Sequence, residues 1–171
     1  ARPTGSASRS RLPLRACSAS VALTRLPSRA STPPATLTPA GSQQLACFPG
    51  TNPPLTEDWY ALGSWHGPVQ FGALSSPPSV TVTPDGSTQL VFSKTAAGHL
   101  QESWYTLGSW HGPIDWTSTA FAGNGLLASS PSATVTVDGS TQIVFWQGAG
   151  ATLWEGCDTL GAWHGPVNFS G

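Results

Sequence analysis

The sequence predicts an all-β protein of four-stranded β-propeller blades, two complete and one half, behind a disordered N-terminal tail. Three observations predict it. One segment recurs three times without gaps, the repeat of 45 residues between Trp65 and Trp110 leaves room for four short strands, and charge and composition change abruptly before the first copy. Gly and Pro together make 19 plus 16 of the 171 residues, which favours turns and short strands over long helices. Charged residues are only 9%, which excludes a charge-rich disordered chain. No apolar run approaches the ~20 residues of a membrane-spanning helix. The absence of Met, even at position 1, points to a fragment or a processed chain.

The tail stands apart in charge. Residues 1–50 hold six of the seven cations and none of the eight acids, a charge of +6, while residues 51–171 carry 1 − 8 = −7. Residues 1–54 contain no Trp or Tyr, and Phe48 is their one aromatic. Such a stretch buries too little apolar surface to offset a chain entropy of ~1–2 kcal/mol per residue, so disorder is expected over 1–54. Three origins stay open: a linker, a targeting remnant, or upstream sequence that is never structured. The basic tail lacks the interleaved aromatics or folded basic face of a nucleic-acid binder, so no nucleic-acid partner is expected.

Beyond the tail the chain is built of repeats. Residues 55–71, 100–116 and 153–169 share L-x-E-x-x-x-x-L-G-x-W-H-G-P, then Val or Ile, any residue, and an aromatic. A second unit, SSPPSVTVTPDGSTQLVF at 75–92, returns as ASSPSATVTVDGSTQIVF at 128–145. From Asp85 to Trp110 and from Asp138 to Trp163 is 25 residues each time. The repeat lengthens to 53 between Trp110 and Trp163, and the extra 8 residues read as a loop around Phe121 that leaves the unit undisturbed. Within one unit, 79–83 alternates apolar Val80 and Val82 with polar neighbours, and Pro84-Asp85-Gly86-Ser87 makes a hairpin turn. Residues 88–93 return, 96–99 turn into 100–105, and Leu107-Gly108 turns into 110–116. The units are therefore a half blade at 55–71 and blades at 75–116 and 128–169. Two and a half blades cannot close a ring of ~4–8, so self-association or further blades are expected at the open edges.

Candidate chemistry lies in the recurring residues. Glu57, Glu102 and Glu155 each stand 8 residues before Trp65, Trp110 and Trp163. Carboxylates are depleted from strands, so a repeated one needs a reason. One is that Glu accepts sugar hydroxyls while Trp stacks on the apolar face of a pyranose. The other is that Glu accepts backbone N–H groups or faces water. The Trp-His-Gly-Pro histidines, one per blade, point to separate structural places and to no metal site. Gly67, Gly112 and Gly165 are expected to kink the backbone. Cys157 takes the register of Trp59 and Trp104, as a small buried hydrophobe. No nucleophile elbow or phosphate-binding Gly loop occurs, and no cofactor or catalytic residue is expected.

The run Leu100-x-Glu102, Trp104-Tyr105, Gly108-x-Trp110, preceded by Gln89-Leu90-Val91-Phe92, resembles the repeats of bacterial and fungal β-propeller lectins. These include small fucose-binding lectins, whose two-blade chains trimerise into a six-bladed ring, and the PLL-like lectins. The resemblance implies a site of Arg, Glu and Trp, carried here by Glu57, Glu102 and Glu155 with Trp65, Trp110 and Trp163. The Arg region reads Gln89-Leu90-Val91 and Gln142-Ile143-Val144, where Gln89 and Gln142 stand in as donors. A secreted, non-enzymatic carbohydrate-binding module with glycans as partners is therefore expected. The alternative is a structural or protein-binding propeller fragment of a larger secreted protein.

Overall fold

The computed structural model describes residues 35–37, 43–49, 54–61 and 64–169. The described strands form three antiparallel four-stranded sheets, each a simple up-and-down run. Sheet one holds β1 (Ala35–Leu37), β2 (Gln43–Pro49), β3 (Pro54–Ala61) and β4 (Ser64–Ala73). Sheet two holds β5 (Ser79–Val82), β6 (Thr88–Lys94), β7 (Leu100–Thr106) and β8 (Ser109–Asp115). Sheet three holds β9 (Ser132–Val135), β10 (Thr141–Gln147), β11 (Leu153–Thr159) and β12 (Ala162–Asn168). No described helix is long and apolar enough to cross a membrane.

The first sheet corrects the expected boundary. β1 and β2 lie within the stretch read as disordered tail, and they pair ahead of β3 and β4, so 55–71 is the second half of a blade whose first half is also present. The rest of the expected tail, residues 1–34, 38–42 and 50–53, falls outside the described residues. The signal was there: Thr38-Pro39-Ala40-Gly41-Ser42-Gln43-Gln44-Leu45 matches Thr83 to Leu90 at the same 45-residue offset as Trp65 and Trp110. The match is hard to read as a hairpin because Ala40 stands where the other two copies have the turn aspartate.

That aspartate organises the first hairpin of the other two blades. Asp85 Oδ1 accepts from Thr83 Oγ1 at 2.6 Å, from Ser87 N at 3.1 Å and from Ser87 Oγ at 2.9 Å, with Gly86 at φ +75°. Asp138 makes the same three bonds to Thr136 and Ser140. The Thr hydroxyl bonds hold both carboxyls at about 2, with the Ser N–H and hydroxyl adding to them.

The outer hairpin of each blade carries the Trp-His-Gly-Pro motif. The pairing of β7 with β8 shifts between Glu102 and Trp104, a bulge that places Gly112 at φ +86°. A Cβ there would sit 2.7 Å from the Glu102 carbonyl oxygen, so only Gly fits. Gly165 repeats the arrangement at φ +106°, with 3.0 Å to the Glu155 carbonyl. The histidines pack locally: His111 stacks on Trp104 at 5.4 Å between ring centroids, and His66 on Trp59 at 5.5 Å.

Sheets two and three pack face to face. Leu90, Phe92 and Leu100 of sheet two meet Val144 and Trp146 of sheet three, all at 2% exposure or less. Near the inner strands, Ala133 N donates to Ser79 Oγ across the gap at 2.9 Å. The 8-residue insertion leaves the four strands of each blade in place, as expected, and is itself part of this core. It opens with a short helix, α1 (Trp116–Thr119), capped by Asp115 accepting from Ser118 N at 2.9 Å. It then buries Phe121 at 2% exposure against Trp146, and Gly125 O accepts from Trp146 Nε1 at 2.8 Å. Phe121 drives this: an aromatic left in water forfeits a large burial gain.

Candidate functional site

Strand parity decides which candidate residues meet. Residues paired across adjacent strands share a face, and alternate residues change face. The Leu107-Gly108 turn, with φ +51° and +83°, pairs Tyr105 with Trp110, and β6 pairs Gln89 with Tyr105. Gln89, Tyr105 and Trp110 thus form one cross-strand row. Trp110 packs with Val91, Val80 and Leu74, on the side of sheet one. Glu102 pairs with Phe92 and Ile114 on the opposite face, toward sheet three. Glu102 and Trp110 of one blade therefore do not line one cleft, contrary to the simplest reading of their spacing.

The cleft between sheets two and three instead combines the Glu of one blade with the Gln–Trp row of the next. Sheet three repeats the row as Gln142, Asp158 and Trp163, and it faces Glu102. In sheet one, register puts Gln44, Tyr60 and Trp65 in the equivalent row. The cleft between sheets two and three groups Glu102 with Gln142 and Trp163, and the repeat register carries the same grouping to Glu57 with Gln89 and Trp110. Glu155 lies on the outer face of sheet three and is half-buried. Residues missed in the sequence are Tyr105, Asp158 and Gln44. A two-residue turn after Thr106 and Thr159 was the signal for the first two, because it fixes what stands opposite each Trp.

The cleft between sheets two and three is filled by the protein itself. Trp116, at the start of the insertion, donates from Nε1 to Glu102 Oε2 at 2.6 Å. Its ring lies 5.2 Å from that of Trp163, which also meets Phe92 at 6.1 Å and Phe121 at 5.8 Å, both edge-on. Glu102 is 4% exposed. Burial raises its carboxyl from 4.5 to about 7; the Trp116 N–H opposes this and the Asp158 charge adds to it. Asp158 is buried and accepts from Gly161 N at 2.9 Å. Gln142 Oε1 is buried beside it without a hydrogen-bond partner.

The cleft between sheets one and two differs in chemistry. Glu57 is 3% exposed, whereas Gln89, Tyr105 and Trp110 are half-buried. The residue at the Trp116 register of that blade is Phe71. Tyr105 and Trp110 rings lie 5.5 Å apart, tilted at 54°. This row offers an amide, a phenol and an indole side by side. Cys157 is only half-buried, not enclosed as expected, because no sheet among the described residues covers its face of sheet three. Burial, with Glu155 and Asp158 nearby, pushes its thiol up, away from reactivity. Among the described residues, no group of three His, Cys, Asp or Glu side chains gathers to hold a metal.

No family model matches the chain, and no curated protein matches it. Solved structures do. The chain is similar to the six-bladed β-propeller fungal lectin of Aleuria aurantia (TM-score 0.64, 15% identity), covering 82% of this chain and 46% of that one. It is similar to the BP39L lectin of Burkholderia pseudomallei (TM-score 0.63, 18% identity), covering 82% of this chain and 41% of that one. A fucose lectin of Kordia zhangzhouensis, solved with methyl-fucoside, matches at TM-score 0.56 and 17% identity, over 80% of this chain and 99% of that one. The chain spans less than half the length of the first two. Its three sheets are propeller blades, and in fold it resembles the β-propeller lectins.

Proposed function

We propose that the chain is a non-enzymatic, secreted carbohydrate-binding module, whose sugar lies between the first two blades. The observation that carries this reading is the half-buried row of Gln89, Tyr105 and Trp110, opposite the Glu57 register of the preceding blade. An indole gives the apolar C–H face of a pyranose a stacking surface. An amide, a phenol and a carboxylate supply donors and acceptors for its hydroxyls. The similarity to fucose lectins supports the substrate class, and a fucoside is the first ligand to try. The Arg implied by the resemblance is absent, so single-site affinity is expected to be weak, with avidity from several clefts.

The cleft between blades two and three supports the structural alternative for its own residues. Trp116 already occupies the Glu102 carboxylate, and three aromatic rings surround Trp163. We therefore assign Glu102, Gln142 and Trp163 to packing, and Glu57, Gln89 and Trp110 to the ligand. A glycan array, followed by titration of the strongest binder against intrinsic Trp fluorescence, tests the reading. Saturable binding with a fluorescence change is expected. Capture of a protein partner with no response to any saccharide would establish the alternative.

A further inference from the structure

The two-residue turns between β7 and β8 and between β11 and β12 hold a leucine where the backbone favours another residue. Both residues of each turn have positive φ, +51° and +83° at Leu107-Gly108, and +54° and +85° at Leu160-Gly161. Asn or Asp before Gly suits such a turn, and a leucine there is strained. Packing does not compensate, since Leu107 is 96% exposed and Leu160 is 85% exposed. Leu107 belongs to blade two, which has a blade packed on either side, so its exposure does not come from an uncovered sheet. A Cβ on Gly108 or Gly161 would meet nothing within 4 Å, so both tips stand in open space. The sequence repeats the pair in blade one as Leu62-Gly63. An apolar side chain kept at a strained, water-exposed tip in successive copies calls for a contact outside the chain.

These tips share one end of the blades with the row of Gln89, Tyr105 and Trp110. Tyr105 and Trp110 form the second pair in from the Leu107-Gly108 turn, and Gln89 continues their row on β6. The first hairpins of blades two and three turn at the same end. Leu160 N donates to Ser140 O at 3.2 Å, and a Cβ on Gly139 would stand 3.5 Å from Pro84 Cδ. Val137, in the first hairpin of blade three, is 94% exposed. This end also carries the exposed carboxylates of Asp85 and Asp138, while Lys94, the one Lys or Arg among the described residues, lies at the far end of β6. An anionic lipid surface would be repelled here. Separate tips lack the contiguous, desolvated centre on which a protein interface depends, whereas a fluid hydrocarbon layer closes around each one. A sugar seated in the row beside Leu107 brings whatever carries that sugar next to the leucines. We propose that the sugar is the headgroup of a neutral glycolipid, and that Leu107 and Leu160 enter the bilayer that presents it. This inference rests on the sugar reading above and adds the class of molecule that carries the sugar.

The test compares wild type with the double variant Leu107→Asn/Leu160→Asn. Asn suits both turns, so the variant is expected to melt at or above the wild-type temperature. Calorimetric titration of methyl-fucoside is expected to give the two proteins the same affinity. Flotation with phosphatidylcholine vesicles bearing a fucosyl glycolipid is expected to separate them. The variant should bind these vesicles at least about tenfold more weakly, a factor that burial of a single Leu side chain supplies. Wild type is expected to bind plain phosphatidylcholine vesicles less well, and to lose affinity when phosphatidylserine is added to the glycolipid vesicles. Equal flotation of wild type and variant on glycolipid vesicles, with methyl-fucoside bound by both, would overturn the inference and leave the sugar reading standing. Flotation that needs the leucines but not the glycolipid, with no methyl-fucoside bound, would refute the sugar reading and the glycolipid with it. An equal, leucine-dependent loss of binding to a soluble fucosylated glycoprotein would assign the leucines to a protein contact and overturn the inference as well.

Discussion

Replacing Glu102 by Gln removes one buried titratable group and little else. The Gln carbonyl still accepts from Trp116 Nε1, now held at 2.6 Å by the carboxylate, and the side-chain volume hardly changes. In the folded chain, burial raises the Glu102 carboxyl from 4.5 to about 7. Between those values the native state keeps a proton that the unfolded chain has released. Stability from this group is therefore complete below about 4.5 and is lost as pH rises through about 7. At 1.36 kcal/mol per pH unit, that gap corresponds to a loss on the order of 3 kcal/mol. Asp85 and Asp138 titrate near 2, below this window, with the opposite sign: their contribution is lost as pH falls through about 2. Urea midpoints followed by circular dichroism between about pH 4.5 and about pH 8 would measure the effect as a difference between wild type and Glu102→Gln. The wild type is expected to weaken toward high pH relative to the variant, by that order. Parallel curves for the two proteins would refute a buried, proton-holding Glu102.

The remaining predictions concern packing and backbone. Phe121→Ala, which empties a site at 2% exposure, is expected to cost about 3–5 kcal/mol in urea denaturation, whereas an uninvolved loop residue would cost almost nothing. Gly112→Ala and Gly108→Ala share a positive φ but differ in space, since a Cβ meets Glu102 O at 2.7 Å in the first and nothing within 4 Å in the second. The Gly108 variant is expected to lose about 1–2 kcal/mol and the Gly112 variant clearly more, as read by thermal unfolding. Leu107→Asn, at φ +51° and 96% exposure, is expected to stabilise the chain by about 1 kcal/mol, because Asn tolerates this conformation and Leu does not.

The parts of the fold that were legible in the sequence are those where local chemistry repeats. The Asp-Gly turns, the Leu-Gly turns and the Trp-His-Gly-Pro bulge each dictate a backbone shape from neighbouring residues, so blades two and three are readable from residue order alone. Blade one was half hidden. Ala40 removes the turn acceptor, and Ala46 and Cys47 replace Val91 and Phe92, so its second strand no longer reads as a strand of large apolar residues. Phe121 shows a different limit: its burial depends on Trp146 and Gly156, which lie 25 and 35 residues further along the chain. The site was legible in composition and not in pairing. Glu102 and Trp163 lie in one inter-blade cleft, but they come from successive blades, and Glu102 has its back to Trp110 of its own blade. Trp116 sealing Glu102 was invisible, since Phe71 and Phe169 hold that register in the other two copies.

The claim most open to direct test is that a sugar occupies the cleft of Glu57, Gln89 and Trp110 and not that of Glu102, Gln142 and Trp163. The decisive measurement is calorimetric titration of methyl-fucoside, or of the strongest glycan on an array, into wild type, Glu57→Gln and Glu102→Gln. Losing a charged hydrogen bond costs about 1.5–3 kcal/mol, so Glu57→Gln is expected to weaken binding roughly tenfold to a hundredfold, with Glu102→Gln matching wild type. Equal affinity for wild type and Glu57→Gln, or a comparable loss in Glu102→Gln, would contradict it.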